Sequence, residues 1–150
     1  MRGWLLDTNV ISELGRKTPD PKVRAWLGGL PSDRTFISIL TLGELDQGIA
    51  ALKTTDPRRA HYQRFRALTE ADFAGRVLPM DDEMVRLWGA LSGRYRLDHG
   101  GKAPVVDALL AATAQRLRLH LATRNIKDVR ALSVSAFSPW TDDPAAFPIT

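Results

Sequence analysis

The chain has 150 residues, 44% apolar and 25% charged, the balance of a globular domain and not of a disordered or fibrous chain. It contains no cysteine, which excludes disulfides, thiolate zinc sites and a cysteine nucleophile, leaving acid, hydroxyl and imidazole chemistry. With 21 lysines and arginines against 17 aspartates and glutamates the net charge is +4, a modest bias toward polyanionic partners.

Trp4, Leu5 and Leu6 form a short strand candidate, and Val10, Ile11 and Leu14 follow at helical spacing, so Asp7 stands at a strand-to-helix junction. The run from Arg34 opens β-rich at Phe36, Ile37 and Ile39 and turns helical through Leu42, Leu45, Ile49 and Leu52. Asp56-Pro57 is a helix start signal, with Tyr62, Phe65 and Leu68 at helical spacing behind it. Residues 75–79 give another short strand closed by Pro79, after which Asp81 or Asp82 caps a helix carrying Met84, Val85, Leu87, Trp88 and Leu91.

Residues 98–102 read as a loop, Val105 to Leu117 as a helix, Leu119 to Thr123 as a strand, and Val134 to Phe137 as the last strand. Residues 138–150 hold three prolines and read as an irregular C-terminal tail of a single domain spanning 1–150. No apolar stretch approaches the roughly 18 to 20 residues a membrane helix needs, and the N-terminal residues lack a signal-peptide pattern. A cytoplasmic protein without membrane contact is expected.

Strands alternating with helices imply right-handed crossovers and a parallel sheet covered on both faces, with ligands gathering beyond the carboxyl ends of the strands. Asp7 lies at such an end. It is a candidate site residue, although it or its neighbours Thr8 and Asn9 could simply cap the following helix. Glu44 follows Thr41 by three, which as written matches a capping box. Asp107 falls in the first turn of its helix, where the dipole favours a negative charge. On the helical wheel Asp107 sits on the shoulder of the apolar stripe, beside Ala111 and Ala114, with no basic residue three or four positions on. Thr123, Asn125 and Asp128 follow another strand and are candidates for the same sheet edge. Were Asp7, Glu44, Asp107 and Asp128 to converge, they could not all stay ionised without a positive occupant. The fitting occupant is a hard dication with oxygen ligands, Mg2+ or Mn2+.

Residues 5–13, 41–45, 106–114 and 121–125 resemble, in order, the successive motifs of PIN-domain ribonucleases, and most closely those of VapC-type toxins of type II toxin-antitoxin pairs. The resemblance runs from residue 4 to about residue 140. It implies a three-layer α/β/α sandwich around a central parallel sheet, an endoribonuclease dependent on Mg2+ or Mn2+, and a homodimer. It also implies an antitoxin whose C-terminal segment wraps the toxin and blocks the site. By position, Asp7, Glu44 and Asp107 become the catalytic, metal-holding acids, and Thr8, Asn9 and Thr123 the groups that orient them. The departure is Asn125, where relatives often carry an aspartate. An amide oxygen can ligate but brings no charge, so the fourth ligand stays open between Asn125 and Asp128. Water attack leaving a 5′-phosphate and a 3′-hydroxyl is likewise what the resemblance implies.

Among the remaining residues, Arg124 and Lys102 are candidates for contacting RNA or the antitoxin. His61, His99 and His120 show no metal spacing, and Gly28-Gly29 and Gly100-Gly101 lack the phosphate-loop pattern. Trp26, Trp88 and Trp140 are expected to be packing residues. Two alternatives remain: a catalytically silent PIN-like module that binds RNA or protein, which Asn125 allows, and a receiver-like signalling domain, which wants paired acids where Asp7 stands alone.

Overall fold

The computed structural model describes residues 1–150, and its elements alternate as the parallel-sheet reading requires. Strand β1 (Trp4–Leu6) leads into α1 (Thr8–Leu14) and α2 (Pro21–Gly28); β2 (Thr35–Ser38) leads into α3 (Ile39–Ala50) and α4 (Arg58–Asp72). Then come β3 (Val77–Leu78), α5 (Asp82–His99), α6 (Val105–Leu117), β4 (His120–Ala122), α7 (Ile126–Arg130) and β5 (Ala136–Phe137). The strands form one sheet in the order β3-β2-β1-β4-β5, every pairing parallel.

The sheet is central because β1 is apolar on both faces. Trp4 and Leu6 join Val10, Ile11, Ile37, Leu42, Ala122 and Phe137 on one side, whereas Leu5 joins Leu110, Ala114, Leu121 and Val129 on the other. Helix α5 packs on α6 through Trp88, Leu91 and Tyr95 against the small Ala108 and Ala111. This is the three-layer α/β/α sandwich. From β1 the chain runs to β2 on one side and later returns to β4 on the other. The ends of β1 and β4 therefore flank the switch point of the sheet, where such folds place ligands.

Several local expectations are corrected. Helix α3 begins at Ile39 with Ser38 as its cap, the Leu40 N–H donating to Ser38 Oγ at 3.1 Å, so Thr41-Leu-Gly-Glu44 is not a capping box and Ile39 is not in a strand. Helix α5 runs through Asp98 and His99 into the expected loop and stops at Gly100, whose φ of 74° suits a residue without Cβ. Helix α2 is capped by Asp20 ahead of Pro21 and buries only Val23 outright, too little apolar patterning to read beforehand. Helix α7 has five residues, too few to show a period, and carries Asp128 in its first turn, beyond the end of β4.

Ala111 and Ala114, beside Asp107 on the helical wheel, are fully buried under α5 and against the sheet and offer no open approach to it. Residues 138–150 are irregular apart from a 3-10 turn at Pro144–Ala146, yet they are anchored. Phe147 packs on Trp4, Phe137 and His120, the His120 ring meets the Pro148 carbonyl at 3.0 Å, and the Thr150 N–H donates to the Met1 carbonyl at 2.8 Å. Trp4, Trp26 and Trp88 are packing residues. No helix is long and apolar enough to cross a membrane.

Candidate active site

Asp7 is the first residue beyond β1, and its own N–H still continues the sheet by donating to the Ala122 carbonyl at 2.9 Å. That bond fixes the carboxylate at the junction of the β1 and β4 ends. Asp7 also caps α1, with Oδ1 accepting the Thr8 N–H at 2.6 Å. Its Oδ2 accepts the Thr123 hydroxyl at 2.7 Å and Asn9 Nδ2 at 3.2 Å. Thr123 in turn accepts the Asn125 N–H at 3.1 Å, and Asn9 Oδ1 accepts the Arg124 N–H at 3.1 Å. The cap reading of Asp7 is met, and the carboxylate keeps lone pairs beyond the one the cap uses.

Glu44 comes from the second turn of α3, and its Oε1 accepts the Thr8 hydroxyl at 2.6 Å; the Thr41 hydroxyl lies 3.1 Å from that of Thr8. Asp107 projects from the first turn of α6, with Asn125 Nδ2 at 3.5 Å from its Oδ2. Asn125 thus faces Asp107 with its amide nitrogen, as a donor.

These acids sense one another. Burial pushes the Asp7 carboxyl up from the ordinary 3.8 to about 6; hydrogen bonds from Thr123 and the Thr8 N–H oppose the rise, and the charges of Asp107 and Glu44 add to it. Asp107 is also raised, first by burial, against the Asn125 hydrogen bond, and further by the charges of Asp128 and Glu44. Eight ion pairs occur in the molecule and none includes Asp7, Glu44, Asp107 or Asp128. No lysine or arginine neutralises the cluster. Nor do any three acidic or imidazole side chains stand close enough to cage a metal by themselves. The donor set is nonetheless uniformly hard oxygen, partly desolvated and without a protein cation, which suits Mg2+ or Mn2+, ions that keep several waters as ligands.

The PIN-domain sequence profile matches residues 4–131. The chain belongs to the PIN-domain family. It is 36% identical over 138 residues to Toxin FitB of Neisseria gonorrhoeae, covering 92% of this chain and 99% of that one. Over 136 residues it is 32% identical to VapC ribonuclease Y4jK of Sinorhizobium fredii, covering 91% and 96%. Among solved structures, FitAcB from Neisseria gonorrhoeae superposes with a TM-score of 0.81 at 34% identity, covering 93% of this chain and 99% of that one. These similarities place it with the VapC-type PIN toxins and set aside the receiver-like alternative.

Beside the acids this PIN domain has a cleft of about 600 Å3 that shares Thr8, Asn9 and Glu44 with them and is lined on its other sides by α1, α3, α4 and Arg124. The Arg124 guanidinium lies 5.0 Å from the centroid of the Trp140 ring, so Trp140 supports a cation as well as packing on the core. Lys102, in the turn between α5 and α6, does not line the cleft and takes part in none of the ion pairs. Glu13 went unremarked in the sequence. It is buried, accepts the Asp20 N–H at 2.9 Å and pairs with Arg16 at 3.3 Å, joining α1 to α2 at the cleft wall. Its place three residues after Val10, on the buried side of α1, was the available signal.

Proposed function

We propose that this PIN domain is a metal-dependent endoribonuclease, the toxin of a toxin-antitoxin pair, with Asp7, Glu44 and Asp107 as the residues that hold Mg2+ or Mn2+. The observation that carries it is the gathering of carboxylates from the β1 end, α3 and α6 into mutual Coulombic range with no lysine or arginine paired to any of them. A dication bound there supplies an activated water and stabilises the charge that develops on the scissile phosphate.

The chain's own groups act by positioning. Asp7 is held by three donors, two from α1 and one from Thr123 just beyond β4, so its carboxylate cannot swing away without breaking those hydrogen bonds. Thr8 orients Glu44, and Thr123 and Asn9 orient Asp7. Asn125 serves Asp107 as a hydrogen-bond donor, which leaves Asp128, whose charge already acts on Asp107, as the fourth acid. The net charge of +4 favours an RNA substrate around this acidic centre. A cognate antitoxin and a homodimer complete the reading, supported by the named toxin relative and by the motif resemblance.

The test is cleavage of a single-stranded RNA in Mg2+ or Mn2+, with and without EDTA, comparing wild type with Asp7→Asn and Glu44→Gln. Cleavage is expected only with the metal, and both variants are expected to lose about a hundredfold or more in rate. Cleavage that survives EDTA and both substitutions overturns the metal mechanism. No cleavage under either ion leaves the silent RNA- or protein-binding module.

A further inference from the structure

Arg124 stands beside carboxylates that have no cationic partner, and it pairs with none of them. Its N–H donates to Asn9 Oδ1 at 3.1 Å, and Asn9 Nδ2 donates in turn to Asp7 Oδ2 at 3.2 Å. The preceding residue, Thr123, touches Asp7 directly, and the Arg124 side chain shares a wall with Thr8 and Glu44. Arg16, the other arginine on that wall, is already paired to Glu13. Arg124 belongs to none of the eight ion pairs, although the nearest unpaired acids lie within the span of its side chain.

What holds it instead is Trp140, whose ring centroid lies 5.0 Å from the Arg124 guanidinium carbon. The ring cannot follow the cation. The Thr123 N–H donates to the Phe137 carbonyl at 2.9 Å, so the ends of β4 and β5 lie side by side and the chain leaves both of them close together. Trp140 then sits in a closed turn: the Thr141 and Asp142 N–H groups donate to the Ser138 carbonyl at 3.2 and 2.8 Å. Asp142 Oδ2 accepts the Ser138 N–H at 2.8 Å and pairs with Arg130 at 2.7 Å, and the half-buried Trp140 packs on the core around Trp4 and Phe137. An exposed guanidinium gains little from a carboxylate in water and at least as much from a partly desolvated aromatic face, so a fixed ring competes with the acids on equal terms.

We propose that Trp140 is a positioning residue of the site: its ring holds the Arg124 guanidinium off the neighbouring carboxylates and so keeps Asp7 and Glu44 open to a dication. The inference rests on the metal-site reading and deepens it. Without the ring, Arg124 closes on the acids, and the ion binds only in proportion to the fraction of molecules in which they are free.

The experiment reads the Mn2+ affinity of the whole chain, without RNA, from the rise of melting temperature with Mn2+ concentration. Trp140→Leu is expected to bind Mn2+ about fivefold more weakly than wild type, and Trp140→Phe, which keeps an aromatic face, to bind nearly as well. Arg124→Ala is expected to bind at least as tightly as wild type. The decisive protein is Trp140→Leu with Arg124→Ala, which is expected to regain the affinity of Arg124→Ala alone, because the ring has no cation left to restrain. A chain grown with fluorinated tryptophan keeps the shape of the core while weakening the attraction of the ring for a cation. Its Mn2+ affinity is expected to fall in the wild-type sequence and to stay unchanged in Arg124→Ala, which keeps the test open if Trp140→Leu does not fold. Equal affinities for wild type, Trp140→Leu and the fluorinated chain overturn the proposal and leave the metal site intact. An equal loss with and without Arg124 also overturns it, making Trp140 a packing residue only. A wild-type chain that binds no Mn2+ overturns both readings.

Discussion

The Thr123 hydroxyl donates to Asp7 Oδ2 at 2.7 Å across 116 residues of sequence, and both groups are buried. It is the strongest influence holding the Asp7 carboxyl down against its burial.

Thr123→Val keeps the shape and removes the donor. The Asp7 carboxyl is expected to rise above about 6, and a cleavage rate that needs ionised Asp7 is expected to fall off at higher pH than in wild type. The loss of a buried hydrogen bond to a charged group costs about 2 kcal/mol of stability. A pH-rate profile and a urea titration measure the two effects; an unshifted acid limb counts against this role.

In the metal-free protein the sign of the pH dependence follows from the raised Asp7. Between its ordinary 3.8 and about 6 the folded state binds more proton than the unfolded state, so stability falls as pH rises through that window and levels off above it. The gap corresponds to about 3 kcal/mol for this group. Asp7→Asn is therefore expected to flatten the slope and to be more stable than wild type at pH 7 in EDTA. Denaturant midpoints from pH 4 to 7.5 decide it, and equal slopes for the two proteins refute it.

Divalent ions are expected to reverse that penalty. Saturation at a hundred times Kd adds about 2.7 kcal/mol, read as a higher melting temperature in Mn2+ than in EDTA. Asn125→Asp removes a donor from Asp107 and adds a like charge beside it, so the metal-free protein should melt lower and the gain on adding Mn2+ should widen. A gain no larger than that of wild type would mean position 125 lies outside the influence of the ion.

Phe147 sits in residues whose sequence reads as irregular, with its ring 5.0 Å from that of Phe137 and 5.4 Å from that of His120. Phe147→Ala is expected to cost about 2 kcal/mol, the lower end for a half-buried ring. A thermal melt within error of wild type would show the segment to be dispensable for stability.

The strand-to-helix junction at Asp7, the parallel alternation and the helix from Val105 were legible because each rests on short-range periodicity and on where an apolar run meets a polar residue. Helix α7 was not, since five residues carry no period, and the α3 start was misread because Thr41 and Glu44 match a cap that Ser38 already supplies. The buried role of Glu13 was hidden by its charge, which reads as solvated until Arg16 and the Asp20 N–H are seen beside it.

By itself, the sequence determined that acids stand at the ends of apolar runs in a cysteine-free, basic α/β chain, since residue type and local order need no partner to be read. Only the tertiary structure decided who holds each acid: Thr123 for Asp7, Thr8 for Glu44, Asn125 for Asp107. It also decided that a cleft with aromatic and cationic walls opens beside them. The physical reason is that hydrogen bonds and desolvation act over a few ångströms of space, and the sheet crossover that brings those groups together leaves no trace in the spacing of the residues it joins.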